Sequence, residues 1–418
     1  MENKFEYALK LDEADEMKDF RQEFHIPKDT TGQECIYFCG NSLGLMPKSA
    51  RAYIQQELDD WQELGVEGHT KAKHPWVKYH EFLTDPMAAI VGALPHEVVV
   101  MNSLTVNLHL MMVSFYRPER NRFKILMDYS PFPSDRYALE SQVKFHGFDP
   151  ASAIIELSPD PGTEYVSEAS ILNTIQQHGD SISLIMIGGV NYYTGQAYNI
   201  KAITDAGHEN GCLVGFDLAH AAGNLKLSLH KDGPDFAVWC SYKYLNSGPG
   251  SLSGCFVHDR HNQDFGLPRF TGWWGHDKHS RFKMGKEFSP MTGAEGWQLS
   301  NPPVFPMAAM RASLDIFDRA GMNRIREKSE KLTAYLEYLI RNKASDKVNI
   351  ITPSDPSQRG AQLSLQVSDK RLHNALADNG VISDWREPDV IRVAPAPLYN
   401  SFKEVWKFVQ ILENCDLN

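Results

Sequence analysis

Between Ile36 and about Pro303, short apolar runs alternate with helical patterns: EVVVMNS, FKILMD, SISLIMIGGV, CLVGFD and DFAVWCS. Several are unbroken Val/Ile/Leu-rich stretches rather than strict alternations, so both faces of each strand must be covered. Such strands, separated by helices, predict a layered α/β fold with a central, mostly parallel sheet and ligands at its carboxyl edge. After NPPVFP the pattern changes. Helical periodicity runs from about Met307 to Arg319, ended by Gly321, and again from Met322 to Arg341. AQLSLQV then alternates like a half-buried strand, RLHNALADNG reads as a short helix with a glycine stop, and IRVAP as another strand. The expected organisation is a large domain over 36–305 and a small α/β C-terminal domain over 306–418, joined by the N-terminal segment 1–35.

A chain of 418 residues can bury a core of this size. Its formal net charge is −11 with no basic block, which argues against nucleic acid or an anionic membrane as partner. No apolar run approaches the length of a bilayer span, and MENKFEYALKLDEADEMKDF lacks a signal-peptide pattern, so a soluble cytoplasmic protein is expected. Six cysteines in so long a chain do not make a disulfide framework. Cys35 and Cys39 have no second pair nearby, and the HDRH and HDKH pairs sit in charged, loop-like surroundings, so no metal site is expected. There is no internal repeat.

The stretch WCSYKYLNSGPGS ends an apolar run in Tyr242 and Lys243. Taken alone, Lys243 reads as a solvated lysine opening a surface turn. Its context is less ordinary. GCLVGFDLAHAAGN is a buried strand ending in Asp217, with His220 close behind, and PDFAVWCSY is the next strand, delivering Lys243. In a parallel sheet both charges reach the same edge. They could form a simple salt bridge. They are also what pyridoxal phosphate requires: a lysine to form a Schiff base with its aldehyde, and a carboxylate to keep its pyridine nitrogen protonated.

A phosphate needs donors, and EVVVMNSLTVNLHL supplies a strand followed by a helix opening at Ser103, Leu104 and Thr105. Helix N-termini bind anions, although an ordinary Ser/Thr cap has the same appearance. GPGSLSG follows the lysine and lacks dinucleotide-fingerprint spacing; its glycines let backbone approach a ligand.

FCGNSLGLMPKS, NSLTVNLHL, PFPSD, YYTGQ, GFDLAHAAGN, WCSYKYLNSGPG, GWWGH, LSNPP and IRVAPAPLYNS, in that order from about residue 38 to 401, resemble the kynureninase family. The resemblance implies a pyridoxal 5'-phosphate enzyme of fold type I, like aspartate aminotransferase, working as a homodimer with sites at the subunit interface. It implies hydrolysis of L-kynurenine, or its 3-hydroxy derivative, to an anthranilate and L-alanine, in tryptophan catabolism by a pathway that also feeds NAD biosynthesis. Carried over, Lys243 holds the cofactor and moves protons, with Asp217 at the pyridinium nitrogen, His220 beside it, and Tyr242 acting with them. Leu104, Thr105 and Tyr242 hold the phosphate end. Phe132 covers the ring face and Asp135 its edge, with Pro133 and Ser134 of the same PFPSD motif in the cofactor site. Trp273 and Asn301 reach in from the second subunit. Arg392 takes the substrate carboxylate, and His69, Ser42, His276 and Asn301 line the aromatic pocket. Gly188, in GGVNYYTGQ, stands where some relatives carry a small hydroxylated residue, so no side-chain contact to the cofactor arises there.

Plainer readings stand beside these. Phe132 and Trp273 could be core or interface aromatics, Asp135 a turn or cap residue, His69 a solvated loop histidine, Asn301 a turn former and Arg392 an outward-facing strand residue. Two rival functions belong to the same cofactor. A cysteine desulfurase or selenocysteine lyase needs a mobile, activated thiol, yet only Cys255, in an apparent buried strand, and Cys415, at the last helix end, follow Lys243. A non-catalytic pyridoxal-phosphate sensor would need a recognition module, and no basic patch supports one.

Overall fold

A computed structural model of the chain describes residues 1–415; residues 416–418, the end of the small domain expected above, lie outside the described residues. The chain opens with helix α1, Phe5–Glu13, and the two-residue strand β1, Ile36–Tyr37. The large sheet comes next. Its strands are β2, Val98–Met101; β3, Lys124–Met127; β4, Ile154–Glu156; β5, Ile182–Gly188; β6, Leu213–Asp217; β7, Phe236–Cys240; and β8, Ser253–Val257. Helix α2, Leu104–Phe115, follows β2, and helix α3, Pro133–Phe145, follows β3. Across the sheet the strands run β2-β8-β7-β6-β5-β3-β4, with β8 antiparallel to both neighbours and the remaining pairings parallel.

The unbroken apolar runs explain this sheet. Successive strand residues point to opposite faces. Val98, Val100, Leu126, Ile185, Val214, Phe216 and Trp239 enter one core, while Val99, Met101, Ile125, Leu184, Phe236 and Val238 enter the other. A sheet covered on both faces has no solvent-facing position to mark with a polar residue. Because β3, β5, β6 and β7 are parallel, a charged residue just past any of them arrives at the same edge.

Helix α4, Val304–Ala320, begins three residues before the periodicity suggests and places Pro306 in its first turn, where no backbone N–H needs a partner. It stops at Gly321, whose φ of +74° favours glycine. Helix α5, Met322–Lys343, follows, then strands β9, Val348–Ile350; β10, Leu363–Val367; β11, Val381–Ile382; β12, Asp384–Arg386; and β13, Val390–Val393. The last helix is α6, Phe402–Asn414, opened by a Ser401/Glu404 capping box. An antiparallel sheet runs β12-β13-β10-β9. Ile36, placed by the sequence reading at the start of the large domain, instead pairs with Val381 in a parallel β1–β11 ladder. Ile36 and Phe38 fill a C-terminal core with Leu332, Leu336, Ile391 and Phe408, which draws this segment across. Helix α1 joins the same side: Ala8 enters that core, and the Asp12 carboxylate accepts from Phe402 N at 2.7 Å, satisfying an open donor of α6.

Candidate active site

β6 ends at Asp217 and its parallel neighbour β7 leads into Lys243, so the two charges arrive at one cavity. Lys243 Nζ lies 2.8 Å from His220 Nε2. Burial, followed by the positive charges of Lys243, Arg392 and Arg386, holds the His220 imidazole well below its usual pKa. His220 is therefore neutral, and its Nε2 accepts from the lysine; its Nδ1 is enclosed without a partner. The turn carrying the lysine is clamped from behind. Gly44 N donates to Tyr242 O at 2.8 Å, and a β-carbon on Gly44 would stand 2.3 Å from Lys243 O. Only glycine fits there.

Asp217 Oδ1 accepts from Ala219 N at 2.7 Å. Asp135, in the first turn of α3, hydrogen-bonds Asp217. Burial and then the Asp217 charge push the Asp135 carboxyl well above its usual range. Burial raises Asp217 as well, but the bond from Asp135, the Ala219 N–H and the Lys243 charge oppose it. The two carboxyls titrate as one dyad, in which Asp135 is the more strongly raised and Asp217 keeps the contacts that favour its charge.

The other end of the cavity is built for an anion. The N-termini of α2 and α3 converge there, and Thr105 Oγ1 lies 3.0 Å from Ser134 Oγ. Two helix dipoles and two hydroxyls favour a phosphate in such a place. Leu104, Phe132 and Tyr242 line the same space. The Phe132 ring, 45% exposed, stands edge-on to Tyr192 with centroids 5.3 Å apart, and Lys243 Nζ is 5.8 Å from its centroid. Pro133 is exposed and opens α3, where its fixed φ suits the first helical position. Gly188 lines the cavity with backbone alone; a β-carbon there would meet Asp128 Oδ2 at 3.4 Å.

The remaining expected residues lie apart from this cavity within one chain. Arg392 faces inward rather than to solvent: it is 1% exposed, donates from Nη1 to Tyr192 O at 2.8 Å, and pairs through Nη2 with Asp384. Trp273 is 42% exposed and donates from Nε1 to Arg281 O at 3.2 Å. His276 has both ring nitrogens engaged, by Ser289 N at 3.0 Å and Ser280 Oγ at 3.1 Å. His69 and Asn301 are exposed, His69 with its ring edge-on to Trp76, and Ser42 is half-buried beside Asn41.

Sequence reasoning missed Asp128. It follows β3 directly, accepts from Tyr198 Oη and, at 3.1 Å, from Asn191 Nδ2, and burial pushes its pKa up to about 7. FKILMD carried the signal, since it ends in aspartate as GCLVGFD does. Tyr192, Asp384 and Arg386 were missed too. Of the HDRH motif, His258 lies with Glu97 and His230 in a grouping that could hold a metal; its Nδ1 accepts from Arg260 N at 3.1 Å and its Nε2 lies 3.2 Å from His230 O.

A family model described as "Kynureninase C-terminal domain" matches residues 325–412. Proteins named kynureninase match nearly end to end. That of Myxococcus xanthus is 58% identical over 409 residues, covering 97% of this chain and 96% of its own. That of Koribacter versatilis is 57% identical over 406 residues, 97% and 96% of the two chains. That of Flavobacterium psychrophilum is 50% identical over 417 residues, 99% and 98%. Among solved structures, a C-DES mutant with glycine covalently linked to its pyridoxal-phosphate cofactor superposes with a TM-score of 0.77 at 16% identity, covering 91% of this chain and 97% of that one. An apo cysteine desulfurase from Thermococcus onnurineus NA1 gives 0.75 at 16% identity, with 95% and 97% covered. Those likenesses speak to the fold alone, and the fold is the expected pyridoxal-phosphate fold type I. Of the two cysteines after Lys243, Cys255 is wholly buried in β8, where burial raises its thiol pKa far above the ordinary value, and Cys415 is buried as well.

Proposed function

The chain belongs to the kynureninase family, and from that premise we propose that the cavity at the carboxyl edge carries the family's reaction on the side chains assembled there. The protein is a pyridoxal-phosphate-dependent hydrolase that cleaves L-kynurenine to anthranilate and L-alanine. One water is consumed. The bond between Cβ and the γ-carbonyl carbon breaks, oxygen from water completes the anthranilate carboxylate, and Cβ gains a proton to become the alanine methyl group.

The residues present fit the cofactor. Asp217, whose charge is favoured by Asp135, the Ala219 N–H and Lys243, suits a cationic ring nitrogen. His220 Nδ1 and Asp135 Oδ1 are enclosed polar atoms without partners. Thr105, Ser134 and the two helix N-termini offer the donors that a phosphate takes up. When bound, pyridoxal phosphate supplies an aldehyde that condenses with amines and a ring that accepts electron density from the substrate's α-carbon.

The protein's own groups do the rest. Lys243 Nζ is the group that would hold the cofactor aldehyde and would move a proton at the substrate's α-carbon. Neutral His220 accepts from that nitrogen and fixes its direction without adding a second positive charge. Tyr242 and Phe132 wall the site, and Arg392 takes the substrate carboxylate in a position where its guanidinium is shielded from water.

A second copy of the chain completes the site in this reading. Trp273, Phe270, Phe282 and Met284 stand exposed on one short segment, which supports a covered face there. Trp273 and Asn301 would then serve the partner's cavity, with His69, Ser42 and His276 at the aromatic end, where 3-hydroxykynurenine is a second substrate. No helix among the described residues is long and apolar enough to cross a membrane. Free thiols at Cys35, Cys39, Cys212, Cys240 and Cys255 support a reducing, cytoplasmic setting.

The observation that carries the reading is Lys243 and Asp217 past adjacent parallel strands in one cavity. Its test is direct: purified protein with pyridoxal phosphate and L-kynurenine should yield anthranilate fluorescence and equimolar alanine. Absence of both products, in protein that has taken up the cofactor, would overturn it.

A further inference from the structure

Two guanidinium groups share one carboxylate beside the cavity. Asp384 and Arg386 lie on β12, and the antiparallel register sets Asp384 directly opposite Arg392 on β13. Asp384 Oδ2 accepts from Arg386 Nη2 at 3.0 Å and from Arg392 Nη2. The carboxylate is 7% exposed, Arg392 1% and Arg386 34%. One carboxylate cannot neutralise two guanidinium groups, so the trio keeps a single positive charge in a largely dry place. Such a charge is costly to bury unless an anion meets it. The Nε atoms of both arginines are enclosed and have no acceptor. A guanidinium that leaves a buried N–H unpaired is a donor waiting for a ligand oxygen.

The trio is tied to the cavity. Arg392 Nη1 donates to Tyr192 O, and the Tyr192 ring lines the cavity, with Arg392 Cζ 6.0 Å from its centroid. The charges of both arginines reach His220, the neighbour of Lys243.

Resting on the reading that Arg392 takes the substrate carboxylate, we propose that Arg386 is a second cation of that seat and that Asp384 is its positioning residue, bridging the two guanidinium groups. The incoming α-carboxylate supplies the missing negative charge. Asp384 keeps the arginines from repelling one another and holds Arg392 against the Tyr192 carbonyl. Arg386, the more exposed of the two, meets the anion first.

The test uses the cofactor-loaded enzyme with Arg386→Gln, Arg386→Lys, Asp384→Asn and Arg392→Gln. KM and kcat are measured with L-kynurenine, and inhibition constants with L-alanine, which has the carboxylate, and 2-aminoacetophenone, which lacks it. Arg386→Gln should raise KM and the L-alanine constant about tenfold, the scale of one charged hydrogen bond, with kcat nearly unchanged. Its 2-aminoacetophenone constant should not move, and Arg386→Lys should recover most of the loss. Asp384→Asn, with its folded state checked by circular dichroism, should raise KM at least as much as Arg386→Gln. If Arg392→Gln raises KM while Arg386→Gln leaves KM and the L-alanine constant at wild-type values, the second cation is ruled out and the Arg392 reading stands. If Arg392→Gln leaves KM unchanged, the reading beneath fails. Equal weakening of both inhibitors by Arg386→Gln would reveal a change of cavity shape and overturn the charge role. A wild-type KM in Asp384→Asn would remove the positioning role.

Discussion

Asp135 hydrogen-bonds Asp217, and burial with the Asp217 charge raises the Asp135 carboxyl the more strongly, which makes Asp135 the favoured holder of a shared proton. The two carboxyls therefore answer differently to the same substitution. Asp217→Asn removes the charge that a cationic ring nitrogen needs, and kcat should fall by about 10²–10³-fold, the scale seen when a preorganised electrostatic partner is lost. Asp135→Asn keeps an N–H donor toward Asp217 and should cost no more than about tenfold. Steady-state rates on protein with matched cofactor content decide it. Equal losses would mean that the proton is not held on Asp135.

Lys243 Nζ touches a neutral imidazole. Borohydride treatment of the yellow holoenzyme should fix the cofactor to Lys243, and Lys243→Ala should abolish turnover. His220→Phe deletes the acceptor while leaving the lysine, so labelling should persist while kcat drops by roughly 10²-fold, the low end for proton-transfer groups. Peptide mapping that places the label on another lysine would refute the assignment.

Asp128 makes a prediction about stability. Its folded pKa, about 7, lies above the ordinary value of 3.8. A raised carboxyl contributes its full stability below the unfolded pKa and loses it as pH rises toward the folded one, because only the unfolded chain releases the proton in that window. The slope is at most about 1.4 kcal/mol per pH unit. The amide introduced by Asp128→Asn does not titrate, and the lost bond with Asn191 is a constant offset. Denaturant titrations of the cofactor-free protein between about pH 4.5 and 7.5, the window of that release, should therefore show Asp128→Asn gaining on the wild type as pH rises. A pH-independent difference would show that Asp128 ionises normally.

The legible part of this molecule was the part governed by local pattern. Continuous apolar runs disclosed β2, β3, β5, β6 and β7, since a strand buried on both faces admits no polar alternation. Asp217 and Lys243 could be aligned because parallel strands deliver their ends to one edge. What escaped depends on pairings between distant segments. Nothing near Ile36 says that it will pair with Val381, nor anything near Asp384 that it will bridge Arg386 and Arg392. IRVAP alternates like a strand with an outward-facing arginine, and the carboxylate opposite, with the Tyr192 carbonyl, lets Arg392 turn inward. Gly44 was visible as a glycine, but its reason, the carbonyl of Lys243 behind it, was not.

The exposed Trp273 segment predicts concentration dependence. If a second copy covers Phe270, Trp273, Phe282 and Met284, specific activity should fall in step with dissociation on dilution, followed by sedimentation. Trp273→Ala should weaken cofactor retention and turnover together. A fully active monomer would contradict this.

The proposed reading makes Asn301 and His69 the residues that decide substrate choice. Both are exposed in the single chain and free to face a partner's cavity, and each offers a hydrogen-bonding group where an apolar pocket would offer none. A ring hydroxyl buried without a partner costs roughly 1–3 kcal/mol. A site that provides one should therefore accept 3-hydroxykynurenine at least as well as kynurenine. Asn301→Ala should then lower kcat/KM for the hydroxylated substrate by about 5- to 150-fold more than for kynurenine, the same cost expressed as a ratio. The comparison cancels any general damage to folding, dimerisation or cofactor retention, because both substrates meet the same variant. Equal losses on the two substrates would make Asn301 a cofactor contact only and leave the hydroxyl to His69, whose replacement by Phe would then have to show the selective loss.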